Sequence, residues 1–176
     1  MYYGQYYPQQ HGNQPVYVWN PYANGYMNGW SGYGEPCYRS SKQMDYGPKP
    51  FVVNMEEAAK QNTAFRTALW TGKHLQVTLM SLHAGEDIGV ESHPHTDQFL
   101  GIEEGHGVVQ MGESKDKLSF QQNVHEGYAI VVPAGTWHNL TNVGDKPLKL
   151  FSIYAPPQHP YGTVHETKAI AEAAER

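Results

Sequence analysis

Short apolar runs separated by turn residues fill most of the chain between residues 50 and 155. The runs are bounded by Gly, Pro, Asn or Asp, which are the residues that tight turns favour. Many short strands at even spacing are typical of an antiparallel barrel or sandwich. The predicted strands are residues 50–53, 65–70, 74–82, 98–103, 108–111, 117–122, 128–132, 137–141 and 148–154.

The run of residues 74–82 has a clear period of two. Leu75, Val77 and Leu79 alternate with polar or less apolar neighbours. Because successive side chains of a strand point to opposite faces, this alternation predicts a strand with one buried face.

Two short helices flank the predicted strands. Asn54 is a suitable N-cap for a helix over residues 55–61, whose first turn is acidic. Residues 168–176 are rich in Ala and Glu and are prone to form a helix. The pattern therefore predicts an all-β domain with short flanking helices.

The first 47 residues have a different composition. They hold ten of the 13 tyrosines, together with many Gly, Gln, Asn and Pro, and almost no aliphatic residues. Such a segment cannot build a core, so it is predicted to be a low-complexity arm. It is either a flexible leader or a self-association segment, since tyrosines bury large areas and stack well. The predicted organisation is an arm over 1–47, a barrel over 48–160 and a C-terminal tail with a helix over 161–176.

The net charge and the cysteine content limit which binding partners and which cellular compartment are expected. The net charge is -5 and there is no Lys/Arg run, so neither nucleic acid nor an anionic membrane is an expected partner. We predict no signal peptide and no transmembrane segment, and therefore a cytoplasmic protein. The single Cys37 excludes a disulfide within the chain, although it could form one between chains.

The candidate chemistry lies in the histidines. His93 and His95 are one residue apart, so in an extended segment they point to the same side, and His138 begins a later predicted strand. Three imidazoles and one oxygen donor suit a divalent transition metal. Gln98 is the preferred oxygen donor, and Asp97 would replace it if the strand shifted by one residue. Glu91 is expected to be solvated, as are two later glutamates.

A second group of residues carries a resemblance to a known family. Between residues 127 and 142 the chain matches the pattern G(x)5PxG(x)2H(x)3N, which is the second motif of the cupins. The matching residues are Gly127, Pro133, Gly135, His138 and Asn142. The chain thus resembles the cupins over residues 50 to 157. The resemblance implies a double-stranded β-helix, a jelly-roll-like antiparallel barrel.

The first cupin motif, G(x)5HxH(x)3–4E(x)6G, is met only in part. His93 and His95 supply the HxH pair, and Gly105 follows Gln98 with six residues between them. Gln98 occupies the glutamate position, but it comes too soon after His95. The leading glycine is misplaced, and the candidates for it are Gly85 and Gly89.

The resemblance implies that His93, His95 and His138 are metal ligands, with Gln98 in place of the usual glutamate. The metal would be Fe, Mn, Ni, Cu or Zn. An amide is neutral, so it should bind a cation more weakly than a carboxylate does, and it cannot act as a general base.

Two functions are compatible with these features. The first is a metal-dependent enzyme, resembling cupin dioxygenases, isomerases or decarboxylases, that acts on a small organic molecule. The second is a structural protein of a spore coat or surface assembly, since the Tyr-rich arm resembles those of spore-coat proteins. The barrel would then be an oligomerisation core. On either hypothesis the resemblance implies a homodimer or a higher homo-oligomer.

Overall fold

The computed structural model describes residues 45–174, together with the backbone of one short strand at residues 17–18. The strands are β1 (Tyr17–Val18), β2 (Phe51–Val52), β3 (Arg66–Thr71), β4 (Gln76–Leu82), β5 (Asp97–Glu104), β6 (His106–Gly112), β7 (Phe120–His125), β8 (Ala129–Val132), β9 (Trp137–Asn142), β10 (Leu148–Ala155) and β11 (Val164–His165). The helices are α1 (Met55–Gln61) and α2 (Lys168–Ala174).

Two antiparallel sheets form the barrel. One has the strand order β11-β3-β4-β10-β5-β8, and the other has the order β7-β6-β9. The non-sequential neighbours β4, β10 and β5 show that the chain crosses between the sheets, as in a jelly roll. Strand β1 pairs in parallel with β2 outside these sheets. The predicted all-β double-stranded β-helix with short flanking helices is confirmed.

The barrel interior holds the main core. It contains side chains from both sheets, among them Leu100, Ile102, Leu140 and Leu150, each at most 2% exposed. Apolar residues on the inner faces of facing sheets are what holds such a fold closed.

A second cluster lies on the outer side of the larger sheet. Ala58 and Ala59 of α1 pack there with Leu69 and Leu79. Strand β4 is therefore buried on both faces, and the prediction of one buried face is wrong. Leu75, which was expected in the buried face, precedes the strand and is 38% exposed.

Helix α1 has the predicted bounds and the predicted cap. The side chain of Asn54 accepts a hydrogen bond from the backbone N–H of Glu57 at 3.3 Å. This bond satisfies one of the N–H groups that a helix N-terminus leaves without an intrahelical partner.

Other bounds differ from the expectation. Strand β7 covers residues 120–125 rather than 117–122, because residues 114–117 form a tight bridged turn first. Strand β11 was not predicted, since it has only two residues, and it pairs with Thr67 and Arg66 of β3. The C-terminal segment is thus part of the larger sheet, and Ala171 of α2 joins the main core.

Asp45, which lies just before the predicted domain boundary at residue 47, contacts the barrel. The carboxylate of Asp45 accepts hydrogen bonds from the backbone N–H groups of Gly47, Thr71 and Gly162. The domain boundaries at 47 and 160 stay predictions. The predictions about the arm that fall on residues 1–44, Cys37 included, lie outside the described residues except for β1. Neither helix in the described part of the chain is long and apolar enough to cross a membrane.

Candidate metal centre

The segment that joins β4 to β5 positions the first two residues of the site. It belongs to no named strand, but Glu91 forms an isolated antiparallel bridge with His138 of β9. The N–H of Glu91 donates to the carbonyl of His138 at 3.0 Å, and the reverse hydrogen bond is 2.9 Å long. Such a doubly bonded pair fixes the two Cα atoms next to each other. The backbone therefore holds both side chains at the same end of the barrel.

Three side chains converge there. The Oε1 atom of Glu91 lies 3.3 Å from Nε2 of His93 and 3.5 Å from Nε2 of His138. All three potential ligand atoms lie within 4.8 Å of one another. Two atoms bound about 2.1 Å from one ion are about 3.0 Å apart at a right angle and about 3.4 Å apart at the tetrahedral angle. The observed separations match those expected of ligands that share one metal ion.

The orientation of His138 also fits a metal. Its Nδ1 lies 3.0 Å from the carbonyl oxygen of Thr136, and a carbonyl can only accept, so Nδ1 carries the proton. In the neutral ring the lone pair is then on Nε2, which is buried and has no hydrogen-bond partner among the described residues. A lone pair that faces the Glu91 carboxylate is unfavourable unless a cation lies between them. Ligating histidines are usually held in this way through their other nitrogen.

Gln98 lies on the same side of its sheet as the site. It pairs with Tyr154 across β5 and β10, and the Tyr154 ring contacts the His93 ring edge-on at 5.7 Å between centroids. The amide nitrogen of Gln98 donates to Oγ of Ser152 at 3.0 Å, while its buried Oε1 has no hydrogen-bond partner in the described region. The neighbouring Asp97 is exposed. Its carboxylate accepts a hydrogen bond from the backbone N–H of Ala134, in the turn before β9. Of the two alternatives, the inward-facing residue is thus Gln98. Its role as a ligand stays a prediction.

The environment favours the charged form of Glu91. Burial alone would raise the pKa of its carboxyl. The close approach of the His138 and His93 rings outweighs burial, and with the positive charge of Arg66 it holds that pKa well below its usual range. The expectation that Glu91 is solvated is therefore wrong, and this carboxylate is the anionic group of the site.

His95 lies outside this group of side chains. Residues 94 and 95 form a turn, and the backbone N–H of Thr96 reaches back to the carbonyl of His93 at 3.5 Å. The expectation that His93 and His95 share a strand face is wrong, because the chain bends between them. His93 is buried, whereas His95 is exposed. The ligand role of His95 stays a prediction without support from this geometry.

One spacing pattern in the sequence could have identified Glu91 as a residue of the site. Gly85 stands six positions before Glu91, just as the leading glycine precedes the first histidine of the first cupin motif. Four residues separate His93 from Gln98, and six separate Gln98 from Gly105. The spacing of the whole motif is therefore met as G(x)5ExH(x)4Q(x)6G, with Glu91 in place of the first histidine and Gln98 in place of the glutamate. In this register the carboxylate has moved from the fourth ligand position to the first.

The second motif forms the turn that delivers His138. Gly135 has a φ of 80°, a left-handed conformation that a residue with a Cβ adopts only at a cost. Its N–H donates to the carbonyl of His93 at 2.8 Å. The turn before β9 is thereby fastened directly to the strand connection that carries His93.

A cleft of about 440 Å³ opens beside the three converging side chains. Its volume is in the range of small-molecule sites. Glu91 and His93 line one side, and the chain after β10 supplies most of the other. The lining residues are Glu91, Ser92, His93, Gln158, His159, Pro160, Thr163, His165 and Ala174.

Comparisons with known proteins agree with this architecture. A family model for the cupin domain matches residues 78–154. The protein YrkC of Bacillus subtilis is 72% identical over 131 residues, which are 74% of this chain and 70% of YrkC. The protein L612 of Acanthamoeba polyphaga mimivirus is 41% identical over 115 residues, 65% of this chain and 70% of L612. The crystal structure of BH2720 from Bacillus halodurans superposes with a TM-score of 0.73 at 68% identity, covering 74% of this chain and 98% of that one.

Proposed function

This chain belongs to the cupin family. We propose that it is a metal-dependent enzyme acting on a small organic molecule. One divalent transition-metal ion would be held by Glu91, His93 and His138. The observation that carries the proposal is the convergence of their three ligand atoms beside a cleft. Gln98 is the candidate for a fourth, weaker donor through its Oε1 atom.

The ligand set favours dioxygenase-like chemistry over the isomerase alternative. Two imidazoles and one carboxylate with open positions are typical of non-haem iron(II) oxygenases. Such a metal supplies Lewis acidity towards a substrate oxygen and, if it is iron(II), reactivity towards dioxygen. An isomerase would also need a general base. Gln98 cannot serve as that base, and Glu91 would be occupied as a ligand.

The protein residues have distinct tasks in this proposal. Glu91 contributes the one negative charge, so the centre with a divalent ion keeps a net charge of about +1. Thr136 holds the ring of His138 through the Nδ1 hydrogen bond, so that Nε2 is the atom that would bind the ion. Ser152 fixes the amide of Gln98 in the same manner, which leaves the amide oxygen for the ion or for a water bound to it.

Metal analysis of the full-length, tag-free protein tests the proposal. We expect about one transition-metal ion per chain after anaerobic loading with iron(II), and no more than a trace in His138→Ala. Oxygen uptake by the iron-loaded protein against a panel of small organic acids and alcohols then tests the dioxygenase assignment. Failure of the wild-type protein to bind iron, manganese, nickel, copper or zinc would refute a metal enzyme altogether.

The structural alternative rests on the arm. Its composition resembles spore-coat proteins, and strand β1 within it pairs in parallel with β2. A homodimer or larger homo-oligomer, and a role in a spore coat or surface assembly instead of a cytoplasmic one, stay predictions. Large particles that disappear when the arm is removed would support this alternative, and a metal-loaded protein that remains a small oligomer would count against it.

A further inference from the structure

Two histidines outside the cleft face each other across a pair of strands. His106, the first residue of β6, is the register partner of His125, the last residue of β7. Residues directly opposite each other in an antiparallel pair have Cβ atoms about 4.5–5.5 Å apart on the same face of the sheet. The two rings accordingly meet, with centroids 6.2 Å apart, and both residues are exposed.

The main chain holds this histidine pair in place. The carbonyl of His106 accepts a hydrogen bond from the N–H of Val143 at 3.1 Å, and the carbonyl of His125 accepts one from the N–H of Tyr128 at 3.0 Å. Both positions are thus fixed by backbone hydrogen bonds as well as by strand pairing. A ligand that needs both rings therefore has little backbone to order when it binds.

The imidazole of His125 is oriented as a metal ligand would be. Its Nδ1 lies 3.0 Å from the carbonyl oxygen of Glu126, which can only accept, so Nδ1 carries the proton and the lone pair of the neutral ring is on Nε2. The Tyr128 ring packs against it, with centroids 4.2 Å apart. Histidines that bind metals are usually held in this way through their other nitrogen.

The spacing of the two rings suits one shared ion. An ion bound at about 2.1 Å by a ring nitrogen lies about 3.2 Å from the ring centroid, so two rings on one ion have centroids at most about 6.4 Å apart, and about 5.2 Å apart at the tetrahedral angle. The observed 6.2 Å lies within this limit. A small rotation of the exposed His106 side chain reaches the tetrahedral value without disturbing the core.

The charge beside the pair also favours a cation. Glu126 follows His125 in the chain, and its carboxylate lies 3.8 Å from Nζ of Lys60. That ammonium group is already paired with Glu56 at 2.6 Å. Two carboxylates thus share one ammonium, which leaves a net negative charge on this group and attracts cations to the surface around it.

We propose that His106 and His125 form a second metal site, which binds one divalent transition-metal ion such as Cu(II), Ni(II) or Zn(II) through two imidazole nitrogens. Water fills the remaining positions, because both histidines are exposed. Cu(II) binds most tightly of these ions, as it does to nitrogen ligands in general. The site is separate from the candidate metal centre: His138 is the register partner of Met111, which is about 16 Å further along β6 than His106.

Equilibrium dialysis of the full-length protein against Cu(II) tests the pair. His106→Ala and His125→Ala should each weaken the binding of one ion by about tenfold or more, because a single imidazole cannot chelate. The double variant should lose no more than either single variant, since both rings hold the same ion. His74→Ala, at an exposed histidine before β4, is the matched control and should bind Cu(II) like the wild type.

Glu91→Gln separates this site from the candidate metal centre. This variant should keep the ion at the histidine pair whatever happens at residue 91, and Cu(II) should broaden the ring-proton NMR signals of His106 and His125 in it. Unchanged Cu(II) binding in both single variants would overturn the proposal. Losses that add up in the double variant would also overturn it, because the two histidines would then be independent, adventitious ligands.

Discussion

Replacing Glu91 by glutamine is the most direct test of the candidate metal centre. The change keeps the size and shape of the side chain and removes only its charge. The backbone bridge between Glu91 and His138 uses main-chain atoms, so it should survive the substitution. Any loss of metal can then be attributed to the carboxylate rather than to a collapsed site.

The expected loss of affinity is large. Glu91 is the only carboxylate in the group of three converging side chains, and its oxygen is 3.3 Å and 3.5 Å from the two imidazole nitrogens. Changing residues that merely orient a ligand already costs about 10–100-fold in metal affinity. Removal of a charged ligand should therefore exceed about 100-fold, or about 2.7 kcal/mol in binding free energy.

A chelator competition with zinc or cobalt(II) measures this effect in the full-length protein. His95→Ala is the matched control, because His95 was expected to be a ligand from sequence but is exposed and lies apart from the group. We expect Glu91→Gln to lose metal and His95→Ala to bind within about threefold of the wild type. The opposite pattern, with metal lost in His95→Ala and kept in Glu91→Gln, would refute the assignment and restore the ligand set expected from sequence.

Three further predictions follow from named contacts. Gln98→Glu should tighten divalent-metal binding, because it adds a second carboxylate beside Glu91; equal chelator-competition constants would place Gln98 outside the metal's ligands. The low pKa of His159 means that the unfolded chain takes up a proton first as the pH falls below 6.5. The folded state should therefore lose about 2 kcal/mol between pH 7 and pH 5, as measured by urea unfolding, and His159→Gln should lose less; equal pH profiles would contradict this. Deleting residues 1–44 should leave cooperative thermal unfolding. Deleting residues 1–47 should lower the Tm, because Asp45 and its hydrogen bonds are lost. Equal Tm values for the two deletions would show that these bonds contribute nothing to stability.

Much of the barrel could be predicted from the sequence, because turns and helix caps depend on residues that are close together along the chain. Turn residues separate the strands, and the N-cap at Asn54 fixes the start of α1, so both follow from neighbours along the chain. The second motif is similar: Gly135 permits the left-handed turn that precedes His138 wherever the rest of the chain lies. The inward direction of Gln98 also followed from strand alternation.

The burial of the second face of β4 could not be predicted from such local patterns. The alternation of Leu75, Val77 and Leu79 indicated one apolar face. Yet α1 packs over the outer side of the sheet, and the polar residues Gln76 and Thr78 are buried on the inner side. The buried amide of Gln76 forms its hydrogen bonds with the backbone of His159, which is distant along the chain and is brought close only by folding.

The fold family, most of the barrel strands and the histidines of the candidate site could be predicted from the sequence. Which side chains meet depends on how distant parts of the chain pack together. Two histidines one residue apart face the same way only in an extended chain, and the turn at residues 94–95 removes that condition. Pairing between Glu91 and His138, which are far apart in sequence, then brings a carboxylate into the place expected for a histidine. Long-range pairing of this kind depends on the closed barrel, and no local pattern encodes it.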